Sequence, residues 1–71
     1  MKVSQSNKQC ADVCLSLDEL RIINNALNEA CHGIDLPEFD TRMGVSMESA
    51  KALLKQIGSV VDQMENIKTE E

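Results

Sequence analysis

The chain has 71 residues, with twelve acidic against seven basic side chains and a formal net charge of −5. That length allows one domain with a marginal core, and the charge opposes approach to a phosphate backbone. Phe39 is the only aromatic residue, so Leu, Ile, Val, Met and Ala must fill the interior, and self-association or docking to a partner is expected. No apolar run is long enough to cross a membrane and no charged-then-apolar leader opens the chain, so a cytoplasmic protein without membrane contact is expected.

The opening MKVSQSNKQ is polar and without period, and reads as a frayed arm. Residues 10–16, CADVCLS, alternate weakly and suit an extended segment that pairs with a copy of itself in a dimer. Three cysteines are an odd number, against a disulfide framework. Cys10, Cys14, Cys31 and His32 are the candidate metal ligands. The Cys10 to Cys14 spacing is loose for a zinc knuckle, however, and adjacent Cys31 and His32 point about 100° apart on a helix. We expect no metal, no cofactor and reduced thiols.

Regular structure is expected from Ser16. Ser16-Leu17-Asp18-Glu19 is a capping box, and Leu20, Ile23, Leu27, Ala30 and Ile34 follow at spacings of three and four beside Cys31. This predicts a helix to about His32, with Gly33 as a left-handed C-terminal cap. A short second helix is predicted over Leu36 to Met43, capped by Asp35 and closed by Gly44. Ser46 then caps a third helix, Met47 to Asn66, in which Met47, Ala50, Leu54, Ile57, Val61 and Met64 form a heptad seam. Leu53, Val60 and Ile67 add a second row every seventh residue, wider than one neighbouring helix needs. Gly58 is its weak point, costing about 1 kcal/mol relative to Ala.

The stretch FDTRMGVSMESAKALL, residues 39–54, resembles helix-turn-helix regulators in its GVS turn and apolar spacing. The resemblance implies a left-handed Gly44, Val45 plugging the core, and Ala50 and Leu53 facing inward. It departs from that pattern at Asp40, where such motifs carry a small apolar residue. As a DNA reader the motif would use Arg42, Lys51 and Lys55 on phosphates and Ser49 near bases. Glu48 opens the recognition helix, however, and residues 35–57 carry three basic against four acidic side chains. The bend is expected to be structural.

Arg21, Asn24, Asn25, Asn28 and His32 lie along one flank of the first helix, a polar stripe suited to a partner backbone or a solvated face. Catalysis has little support, because Cys31 and His32 do not face each other and no phosphate loop or metalloprotease pattern is present. Taken together, LDELRIINNALNEACHG and EFDTRMGVS resemble a group of small uncharacterised bacterial proteins, a likeness that implies a bacterial source and a compact α-helical fold.

The expected fold is all-α. A flexible or extended arm (1–15) precedes a three-helix domain (16–67), and a disordered tail (68–71) follows. The expected function is non-enzymatic: a homodimeric protein-interaction module joined through Leu53, Ile57, Val60, Val61, Met64 and Ile67. A DNA-binding regulator and a small-ligand carrier, with its pocket between the first and third helices, are the alternatives.

Overall fold

A computed structural model describes residues 1–67; the tail expected to be disordered lies outside them. In chain order the elements are strands β1 (Lys2–Ser6) and β2 (Ala11–Cys14), helix α1 (Leu17–Asn28) ending in a π-helical turn (Glu29–Gly33), and helices α2 (Phe39–Met43) and α3 (Met47–Glu65). The fold is therefore mainly helical but not all-α, because the first fourteen residues form an antiparallel hairpin.

That hairpin corrects two expectations. The polar opening is a strand, and the partner of residues 11–14 is β1 of the same chain rather than a second copy. Lys2 pairs with Cys14, Val3 with Val13, Gln5 with Asp12 and Ser6 with Ala11, leaving Ser4 in a bulge. The Ser4 hydroxyl donates to the Asp12 carbonyl at 3.2 Å. Asn7 makes the reversal: its Oδ1 accepts from the amides of Gln9 (2.7 Å) and Cys10 (2.9 Å), an Asx turn. Every residue of both strands is exposed, so local hydrogen bonds and the Val3–Val13 contact hold the hairpin, with no core beneath it. The weak alternation of residues 10–16 marks β2 as extended, but β1 carries no such period.

The capping box forms as the sequence predicts. Ser16 Oγ accepts from the Glu19 amide at 3.1 Å, and Glu19 Oε1 accepts from the Ser16 amide at 2.9 Å. At its other end α1 departs from expectation. The Ile34 amide donates to the Glu29 carbonyl at 2.9 Å, five residues back, closing a π turn. The wider turn leaves Cys31 buried and Ile34 exposed, and Gly33 does not take the left-handed form predicted for it. A Cβ there would meet the end of the exposed Glu29 side chain, which would have to swing aside.

The second helix begins three residues later than predicted. Pro37 disfavours helical backbone at Leu36, and Glu38 adopts a left-handed φ of 55° before α2 starts. Gly44, at φ 77°, ends α2 with its amide donating to the Asp40 carbonyl at 2.9 Å. Ser46 caps α3 by accepting from the Ser49 amide at 3.1 Å.

Helices α1 and α3 run antiparallel: Arg21 meets Glu65, Asn24 lies over Gly58, and Cys31 packs with Ala50. The core cluster is Cys31, Phe39 and Ala50, with Ala30, Leu36, Met47 and Leu54 packed around it. Among the described residues, Leu20 and Val61 are the other buried apolar ones, and no side chain is fully sealed from solvent. The molecule is thin, 48 × 31 × 15 Å, where most domains stack two layers over one core.

Candidate interaction surface

On α3 the heptad seam points inward. Ala50 and Val61 are buried, while Met47, Leu54, Ile57 and Met64 are half-buried. The second row points outward: Leu53 is 47% exposed, Val60 42% and Ile67 69%. The six residues expected at a dimer interface are thus divided. Ile57, Val61 and Met64 belong to the seam that packs within the protomer, because α1 occupies that side, and Leu53, Val60 and Ile67 remain on the surface. Ile67 lies past the Asn66 cap, its amide donating to the Met64 carbonyl at 3.3 Å, so it sits beside the end of the row rather than on the helix.

The charges of α3 are segregated. At 100° per residue, Glu48, Lys51, Lys55, Asp62 and Glu65 all fall within an arc of about 100°. The opposite flank carries Ser49, Leu53, Gln56, Val60 and Gln63, all exposed and all uncharged. A charge-depleted exposed face is the compositional mark of an interface core rather than of an ordinary solvated helix side.

The same wheel separates the residues of the DNA alternative. Lys51 and Lys55 stand on the charged arc among Glu48, Asp62 and Glu65, whereas Ser49 lies about 160° away from Lys51. The Ser46 and Ser49 hydroxyls are 3.0 Å apart and hydrogen-bonded to each other. Arg42 is exposed in the last turn of α2. A short turn at Gly44 joins α2 to α3, yet the cations and the base-reading candidate do not converge. Val45 is exposed rather than a core plug, and Leu53 faces outward. Asp40 is exposed, which resolves the departure noted at that position.

The polar stripe of α1 is also divided. Arg21 binds the Glu65 carboxylate, with Nη2 at 2.7 Å and Nε at 3.2 Å from Oε2. Asn24 is half-buried, its Oδ1 3.6 Å from where a methyl on residue 58 would sit. Asn25, Asn28 and His32 face solvent, with His32 inside the π turn. Two of the five residues thus serve helix packing.

Pattern reading missed two features. An open concavity of about 360 Å³ lies at the hairpin turn, lined by Gln5, Ser6, Asn7, Cys10 and Asp12, away from the α1–α3 cleft expected for a ligand. The Asn7 turn was its available signal. The Met1 ammonium also contacts the Glu19 carboxylate, tying the hairpin to the first turn of α1. That ammonium and the Ser16 amide hold the Glu19 carboxyl below its ordinary value of 4.5. The cysteines are dispersed, with Cys10 and Cys14 exposed on the hairpin and Cys31 in the core. Among the described residues, no helix is long and apolar enough to cross a membrane.

No family model, curated protein or solved structure matches this chain.

Proposed function

We propose that this protein is a non-enzymatic interaction module that acts as a homodimer, joined through the uncharged outer flank of α3. The observation that carries this reading is the exposure of Leu53 and Val60 in a protomer with only five buried apolar residues among those described. A chain of this size with so small a core gains most from covering such a row. The absence of charge on the flank matters because two copies, each at −5, would repel through most other faces.

The area sets the strength. The nineteen residues of α3 span about 28 Å, so one face offers on the order of 300 Å² per copy, below the roughly 800 Å² per partner of a standard interface. The dimer is expected to be reversible, with Kd in or above the micromolar range.

Sedimentation equilibrium from about 1 μM to 1 mM spans that range. Concentration-dependent dimerisation of the native chain, abolished by Val60→Asp, is the expected result. A native chain that stays monomeric throughout would overturn the proposal. The substitution replaces a half-exposed side chain, so the helices are expected to persist, which circular dichroism checks.

A further inference from the structure

The outer flank of α3 contains a second heptad seam. Ser49, Leu53, Gln56, Val60 and Gln63 are spaced four, three, four and three, rotated away from the seam that packs within the protomer. Its two heptad positions differ in chemistry: one holds the apolar Leu53 and Val60, and the other holds the neutral polar Ser49, Gln56 and Gln63.

We infer that the partner on this face is a second copy of the chain, its α3 parallel to and in register with the first, so that apolar and amide layers alternate along the pair. The inference rests on the homodimer reading and specifies its geometry. In a parallel two-stranded seam each heptad position meets its own counterpart. Leu53 then meets Leu53 and Val60 meets Val60, while Gln56 and Gln63 each face an identical amide. A glutamine amide carries both donor and acceptor, so two of them satisfy each other across the layer.

In an antiparallel pair the two heptad positions oppose one another. Each glutamine would then face a leucine or valine, leaving its amide without a partner as the layer closes. A charged seam could have chosen its orientation through ion pairs, but this flank has no charge with which to do so. The amide layers are the remaining source of direction. One consequence follows from the antiparallel packing of α1 on α3. Because Arg21 near the start of α1 sits beside Glu65 at the end of α3, a parallel dimer brings both hairpins to the same pole.

Disulfide trapping tests the geometry, in a full-length background carrying Cys10→Ser and Cys14→Ser and retaining buried Cys31. Leu53→Cys and Gln63→Cys chains are oxidised with oxidised glutathione, each alone and as an equimolar mixture. The two positions, which face each other across the antiparallel pair, are about 15 Å apart along the helix, far beyond disulfide reach. Covalent dimer from each variant alone, with no excess of the mixed species, is the expected outcome. Covalent dimer from the mixture only would establish the antiparallel pair and overturn the orientation while leaving the homodimer standing. Dimers in the ultracentrifuge that no combination traps would place the interface elsewhere. Monomers in the ultracentrifuge together with no trapping would remove the homodimer and this geometry together. As a second reading, Gln56→Leu is expected to tighten the dimer by about tenfold and to let antiparallel trapping appear. A Gln56→Leu dimer that stays as strictly parallel as its parent would overturn the directing role of the amides.

Discussion

Arg21 and Glu65, forty-four positions apart, are joined by two hydrogen bonds to one carboxylate oxygen, at 2.7 and 3.2 Å. The pair closes the open end of the α1–α3 layer, far from the core cluster at Cys31, Phe39 and Ala50. Both side chains are roughly half exposed, so the bond is screened and its contribution is modest. Arg21→Ala and Glu65→Gln are each expected to lower stability by less than about 1 kcal/mol, with the loss shrinking in 1 M salt. Urea titrations at two ionic strengths measure it. A loss of several kcal/mol that ignores salt would mean the arginine works through packing instead.

Three backbone substitutions separate conformation from space. A methyl at Gly58 would meet Asn24 Oδ1 at 3.6 Å, an ordinary contact, so Gly58→Ala is expected to stabilise α3 by about 0.5–1 kcal/mol. Gly44 has open space around it but a φ of 77°, and Gly44→Ala is expected to destabilise by about 1 kcal/mol. Glu38 carries a side chain at φ 55°, so Glu38→Gly relieves strain there and is expected to be neutral or mildly stabilising. For a domain of this size about 1 kcal/mol moves Tm by roughly 4–8 °C, well within the resolution of a thermal melt.

The three thiols are expected to fall into two kinetic classes. Cys10 and Cys14 stand exposed on the hairpin, and Cys31 is buried against Phe39 and Ala50. Two equivalents of a thiol reagent are therefore expected to react promptly with the native protein, and the third only as the domain opens. Prompt reaction of all three in native buffer would contradict the packing around the π turn.

Glu19 links the hairpin to α1, and its depressed pKa fixes the sign of the pH dependence. The Met1 ammonium is the largest cause and the Ser16 amide the next. A carboxyl held lower when folded than when unfolded contributes stability that is complete above its unfolded value, here 4.5. That contribution falls away as pH drops below 4.5 and through the folded value. Hydrogen exchange of the hairpin amides is expected to accelerate on acidification through this window more than exchange in α3. Acetylating the N-terminus is expected to remove the ammonium's share of the effect, leaving the capping-box share that comes from Ser16.

What could be read without coordinates was whatever neighbours within about four positions decide. The Ser16–Glu19 box, the Ser46 cap, the Gly44 stop and the two apolar rows of α3 depend on hydrogen bonds and side-chain spacing inside one helix, so composition and spacing are enough to locate them. Tertiary structure decided the rest. Pairing of β1 with β2 joins exposed strands of which only β2 carries a weak alternation, and nothing in either names its partner. The π turn depends on how Cys31 docks against α2 and α3, which overrides the simple helical period predicted through Ile34. The division of α3 into packed and exposed rows depends on which side α1 occupies. A helical repeat records that two faces are apolar without saying which neighbour reaches either one, because that choice is made by contacts between segments far apart in the chain.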